Sequence, residues 1–305
     1  MGRKILLPLD GSSFAEAAAP YAVSIAEKSE AEITLALVHP SLPAVTESSH
    51  PELIEWARRG EQGYLDDAAE RLFEGTDIVV TKTLLTGDPP AALVKHAADQ
   101  RVDLVVMSTK GWGPANRLWI GSVADRLVRE LTLPLLLIRP KAEGGKAPRA
   151  AADAVIRRIL LPLDQSRFSE GVLEGAAMLA EIFSATVIPL HVVQGPYDID
   201  RPSFTLELSA DKLSTVGLGT EAAAAYLRSI ASDLRVRGVE VDTPEVVRGG
   251  DVASTILDQV DRLEADAIAI ATHGEKGIRL LALGSVTDKV IRGASVPVLV
   301  CRPQG

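Results

Sequence analysis

The stretch Lys4-Ile-Leu-Leu-Pro-Leu-Asp10 returns as Arg158-Ile-Leu-Leu-Pro-Leu-Asp164, identical at six of seven positions. Two more stretches return in the same order. Gly121-Ser-Val-Ala-Asp-Arg-Leu-Val128 matches Gly284-Ser-Val-Thr-Asp-Lys-Val-Ile291, and Leu133-Pro-Leu-Leu-Leu-Ile-Arg-Pro140 matches Val296-Pro-Val-Leu-Val-Cys-Arg-Pro303. Matches that keep their order over this distance mean one domain duplicated. The offset is 154 residues at the first match and 163 at the second, so copy two carries nine more residues, which fall within 194–217. The expected organisation is a first domain at 1–140, a linker at 141–153 where Gly, Ala, Lys and Pro replace the apolar runs, and a second domain at 154–305.

In each copy, short β-branched or leucine-rich runs alternate with longer stretches of helical spacing, the pattern of repeated βαβ units. Copy one predicts strands at 4–9, 32–38, 77–85, 103–108 and 134–139, and helices at 13–28, 51–74, 89–100 and 122–131. Copy two predicts strands at 158–163, 186–193, 239–247, 266–271 and 296–301, and helices at 167–183, 219–237, 251–263 and 285–293. The strand runs are apolar on both faces, which demands helices on both sides of the sheet. The fold class is therefore α/β, two tandem open five-stranded parallel sheets flanked by helices. Ser13-Phe-Ala-Glu16 has the spacing of a capping box for the first helix.

The 305 residues, 47% hydrophobic, suffice for two cores. A net charge of -9 with no basic stripe excludes the electrostatic footprint of a protein that binds nucleic acid or an anionic membrane. No apolar run approaches the ~18 residues of a membrane span, and the run at 5–9 is too short for a signal-peptide core. A cytoplasmic location is expected. The single cysteine, Cys301, has no internal disulfide partner and lies in an apolar run, as a buried inert thiol does.

Chemistry concentrates where the fourth strand of each copy ends. Met107-Ser-Thr-Lys-Gly111 is followed after nine residues by Gly121-Ser122, and Ile270-Ala-Thr-His-Gly274 after nine residues by Gly284-Ser285. Glycines let backbone N–H groups approach phosphate oxygens, and the start of the next helix adds partial positive charge. The same residues also fit a plain helix start, because Asp125 and Asp288 stand three residues after Ser122 and Ser285.

With these loops, the opening Pro-x-Asp and the closing Pro-Val-Leu-Val type strand, both halves resemble the universal stress proteins, and the whole chain resembles a tandem member. The resemblance implies a Rossmann-like sheet of the adenine nucleotide alpha hydrolase type, in order 3-2-1-4-5. It implies ATP, alone or with Mg2+, held between strands one and four. It also implies pairing of domains through their last strands, within one chain or in a homodimer. Carried over residue by residue, the nucleoside acid is Asp10 or Asp164, and the strand-four ends are Met107 and Ser108, or Ile270 and Ala271. The phosphate end is Gly111, Gly121, Ser122 and Val123, or Gly274, Gly284, Ser285 and Val286. Ser108 and Ala271 depart from the family's first motif glycine, adding a Cβ where backbone approaches the ligand. The residue flanking adenine after strand two is Val192 in copy two against Pro40 in copy one, so the two sites are expected to be unequal.

Other residues keep two readings each. Lys110, Arg117 and Arg279 are phosphate partners or exposed loop charges, and His273, inside its loop, is a ligand contact or backbone scaffold. Trp112 and Trp119 stack on a base or pack between halves. The stretch 194–217 is a lid or an interaction arm. His39 and His191 stand at matched ends of strand two without Cys, Asp or Glu at ligand spacing, so structural roles and no metal site are expected. Neither loop contains the Gly-Lys-Ser/Thr of a phosphate-transfer loop. The expected function is a nucleotide-binding stress-response or regulatory protein and not a dedicated enzyme. A partner-binding module without nucleotide, or a slow ATPase, are the alternatives.

Overall fold

The repeated hexapeptides form the central strand of each half. Every side chain from Ile5 to Leu9 in copy one, and from Ile159 to Pro162 in copy two, is buried, as the two-sided apolar runs require. The computed structural model describes residues 2–40, 51–109, 120–140, 154–194, 210–272 and 283–303; at 51 and 210–218 it describes the backbone only. The chain divides into two compact units, Met1–Val155 and Ile156–Gly305. The linker 141–153 lies outside the described residues.

The first unit runs β1 (Lys4–Leu9), α1 (Ser13–Glu16), α2 (Ala19–Ser29), β2 (Glu32–His39), α3 (Pro51–Leu72), β3 (Val80–Thr86), α4 (Pro89–Gln100), β4 (Leu104–Ser108), α5 (Ser122–Glu130) and β5 (Leu135–Ile138). Its strands are parallel in the order β3-β2-β1-β4-β5. The second unit runs β6 (Arg158–Pro162), α6 (Arg167–Glu170), α7 (Leu173–Phe183), β7 (Thr186–Gln194), α8 (Ala210–Val236), β8 (Glu245–Gly249), α9 (Val252–Arg262), β9 (Ala267–Ala271), α10 (Ser285–Gly293) and β10 (Val298–Cys301). Its parallel order β8-β7-β6-β9-β10 repeats that of the first unit. Both are open α/β sheets of the expected class. Among the described residues, no helix is long and apolar enough to cross a membrane. Cys301 is buried, and burial pushes its thiol up to about 12, so it stays protonated.

Several boundaries differ from the expectation, for local reasons. The helix expected at 13–28 breaks at Ala17–Ala18, and Pro20 stands in the first turn of the second piece, where its missing N–H costs no helical hydrogen bond. In copy two the same break falls at Gly171–Val172, so one helix expected at 167–183 is two. The strand expected at 239–247 is an isolated bridge from Val187 to Val241, followed by β8, with Pro244 unable to donate between them. α8 begins at Ala210, nine residues earlier than expected, since Gly217 and Gly219 interrupt the apolar period there.

The second break carries a packing constraint. A Cβ on Gly171 would lie 2.7 Å from Pro303 Cα, where the chain returns after β10. Backbone at that distance cannot swing aside. Gly171→Ala is expected to destabilise the protein by about 1–3 kcal/mol, measured by urea unfolding against the wild type.

Candidate functional site

The site begins with a missing hydrogen bond. β1 pairs with β4 only through Ile5 and Leu6, and β6 with β9 only through Ile159 and Leu160. The Leu163 amide donates to Leu190 O at 2.8 Å. By strand alternation the nitrogen of Pro162 faces β9, where proline has no hydrogen to give. Pro8 holds the same place in copy one. Beyond it the central strand keeps company with β2 and leaves β4, opening a crevice at the carboxyl ends where the strand order reverses.

In copy one this crevice is a cavity of about 680 Å3, within the range of small-molecule sites. It gathers Asp10 after β1, Met107 and Ser108 at the end of β4, and Gly121, Ser122 and Val123 at the start of α5. Copy two places Asp164 after β6, Ile270 and Ala271 at the end of β9, and Gly284, Ser285 and Val286 at the start of α10. Gly111 and Gly274 lie outside the described residues, as do Lys110, Trp112, Arg117, Trp119, His273, Arg279 and 195–209 of the insertion.

The helix starts are not capping boxes. Gly121 and Gly284 are the N-caps, with no side chain closing either end. The acids that would complete a box turn away: Asp125 accepts from Arg129 at 3.0 Å and Asp288 from Arg292 at 2.9 Å. The first amides of α5 and α10 therefore have no intrahelical acceptor and no capping side chain among the described residues. Two threonines, unnoticed in the sequence, tie each loop's ends together. Gly121 N donates to Thr109 O at 2.8 Å, and Gly284 N to Thr272 O at 2.9 Å. A Cβ on Gly121 would stand 3.4 Å from that same oxygen.

The acid after each central strand sits in a tight turn. Asp10 Oδ1 accepts from Ser12 N at 3.0 Å and Ser12 Oγ at 2.6 Å, and Asp164 accepts from Ser166 in the same way. Ser12 Oγ in turn accepts from Ala15 N, so Ser12, not Ser13, caps the first helix and Glu16 does not complete a box. The intervening residue has positive φ, Gly11 at 83° and Gln165 at 68°. Copy one meets that demand with glycine, whereas copy two holds a side chain in strain.

Register corrects one alignment. Pro8 pairs with Ala36 and Pro162 with Leu190, so counting on from the matched prolines Val192 corresponds to Val38, not Pro40. Val38 lines the cavity beside Pro40. His39 corresponds to Val193 and His191 to Leu37, so the histidines are not matched. A slip of two residues keeps every side chain on its face, and alternation cannot detect it. His191 Nδ1 donates to Leu163 O at 2.7 Å, while His39 Nδ1 lies 2.9 Å from both carboxylate oxygens of Glu61.

The wall missed entirely is α3, which brings Trp56, Ala57, Gly60, Glu61 and Tyr64 to the cavity. Their spacing marks one helical face, and Gly60 inside a helix was the available signal, since glycine there costs about 1 kcal/mol. A Cβ on Gly60 would meet nothing within 4 Å. The Tyr64 hydroxyl donates to Glu16 Oε1 at 2.9 Å, and Arg71 grips both oxygens of Glu16. Burial first, then Glu16, raises the Tyr64 hydroxyl well above its ordinary value, so it acts as a donor. Burial opposes ionisation of Glu16, but the Arg71 and Tyr64 hydrogen bonds outweigh it and hold the carboxyl below 4.5.

Comparison with known proteins agrees with this architecture. The model of the universal stress protein family matches residues 1–139 and again 156–302. A universal stress protein of Mycolicibacterium smegmatis is 24% identical over 310 residues, covering 98% of this chain and 97% of its own. A single-length relative from Methanocaldococcus jannaschii is 30% identical over 46% of this chain and 85% of its own. The crystal structure of a universal stress protein from Archaeoglobus fulgidus superposes with a TM-score of 0.67 at 19% identity, covering 99% of this chain and 98% of that one, which bears on the fold alone.

The Glu16 network makes a pH signature. Because its folded value is depressed, its contribution is present above pH 4.5 and lost as pH falls through the folded value. Glu16→Gln is expected to cost about 1 kcal/mol at pH 7. In urea unfolding across pH, the gap between variant and wild type closes below about 4.5.

Proposed function

The chain belongs to the universal stress protein family in both halves, and from that premise we propose that it binds an adenine nucleotide, ATP, in the crevice between β1 and β4 of the first half. The observation that carries this reading is the uncapped start of α5 opening onto a cavity of about 680 Å3. Amides of Ser122, Val123 and Ala124 are suited to phosphate oxygens, and the helix dipole favours the charge. The Ser122 and Ser108 hydroxyls add neutral donors. Pro8, Leu37, Val38 and Pro40 form an apolar end for a base. Asp10, between the two ends, fits a sugar hydroxyl as acceptor.

Mg2+ fits as a companion of the phosphates. Among the described residues, no group of three or more His, Cys, Asp or Glu side chains is placed to hold a metal. We take the role of the site to be regulatory, with nucleotide shifting the protein between states in proportion to its differential affinity for them. Copy two keeps Asp164, Gly284, Ser285 and Val286 in equivalent places and is proposed as a second, unequal site.

Gly60→Leu separates binding from folding. Leucine replaces a helical glycine whose Cβ direction is open, so stability should rise by about 0.5–1 kcal/mol. The same side chain fills the cavity, and ATP affinity should fall at least tenfold in calorimetric titration. Nucleotide released on denaturing the purified wild type, identified by mass, gives identity and stoichiometry. No released nucleotide together with no heat on adding ATP would favour a partner-binding module. Steady-state phosphate release far above the Gly60→Leu control would favour an enzyme.

A further inference from the structure

The cavity wall made by α3 differs between the halves in a way the fold does not require. Tyr64 and Tyr226 both donate to the matched acids Glu16 and Glu170, which aligns α3 with α8. On that alignment Gly60 falls on Ala222, Glu61 on Ala223 and Trp56 on Leu218. His39 falls on Val193 by strand register. The His39–Glu61 pair of copy one is thus a Val–Ala pair in copy two. A hydrogen-bonded polar pair drawn from water is replaced by apolar groups of similar shape at little or no cost, and copy two folds with that replacement.

What copy one gains is a polar group and an aromatic ring at the cavity. His39 is nearly buried, whereas Glu61 keeps 24% of its side chain exposed and lines the cavity. A carboxylate only accepts, so His39 Nδ1 is the donor that fixes it, and further lone pairs of Glu61 can accept from a ligand. Trp56 is 73% exposed at the cavity's edge, one helical turn before Gly60, where the absence of a side chain leaves space.

Ligand direction follows from the fold. If the phosphates lie at the start of α5 beside β4, and Asp10 ends β1, then the far end of the ligand lies over β2 and α3. That is two strand spacings, about 10 Å, from β4. We propose that Trp56 and Glu61 read the base of the nucleotide bound by copy one, with Trp56 stacking on its face and Glu61, held by His39, accepting from its exocyclic amine. This rests on the nucleotide-binding reading above and adds a base preference to it. An amino purine satisfies Glu61, while an oxo purine sets an acceptor against an acceptor.

All three tryptophans, Trp56, Trp112 and Trp119, lie in copy one, so tryptophan fluorescence titration of the full chain with ATP and with ITP reports that half. ATP is expected to bind about tenfold or more tightly than ITP. Glu61→Gln should bring the two within about threefold, because an amide can turn a donor toward the oxo group. Trp56→Ala should weaken both by about tenfold and leave their ratio unchanged. Thermal unfolding of each variant verifies its fold. Equal affinity of the wild type for ATP and ITP, or a ratio untouched by Glu61→Gln, overturns the base-reading role and leaves nucleotide binding standing. Failure of both nucleotides to bind the wild type overturns that binding as well.

Discussion

A proline nitrogen in the central strand is the constraint on which the site depends. Pro8 and Pro162 sit where a parallel strand would continue its ladder toward β4 or β9, and neither can donate. Pairing stops two residues into the contact. The strands part, and the crevice opens at the carboxyl edge, where the order reverses and helix starts converge. In an apolar strand buried on both faces, one absent N–H thus decides where a ligand has room.

Around that opening, each element supplies a different kind of group because of how it arrives. α5 and α10 arrive with bare amides, since their caps are glycines and the nearby acids are engaged by arginines. β1 and β6 end in a tight turn that pins one carboxylate oxygen of Asp10 or Asp164 on Ser12 or Ser166. α3 arrives with a face carrying Trp56, Glu61 and Tyr64 interrupted by Gly60. Amides, acid and aromatic wall lie in that order across β4, β1 and β2, an arrangement matching a ligand with one anionic and one aromatic end.

Duplication explains how the halves diverge without losing the fold. The interactions they share are those that build the sheet and the turns: the strand register, the Asp–Ser turn, the tyrosine on its acid, the threonine clasp on the loop. Where they differ, one half has a polar pair and the other an apolar one, His39 and Glu61 against Val193 and Ala223. Substitutions of that kind alter what a pocket accepts while the core beneath it stays packed.

The sequence by itself determined the duplication, the α/β class and most strand positions, because a buried parallel strand leaves an unbroken apolar run that needs no partner to be seen. It also put Asp10, Ser108, Gly121 and Ser122 around one crevice, since each ends or begins an element at the same edge of the sheet. It could not assign caps: Ser12 against Ser13, or Gly121 against a Ser122–Asp125 box, turns on which side chain reaches which amide. It misaligned Val192 with Pro40 because a two-residue slip preserves every facing. Only the tertiary structure brought α3 to the crevice and joined His39 to Glu61 across 22 residues. That contact depends on how a helix lies against a sheet, and no local periodicity records it.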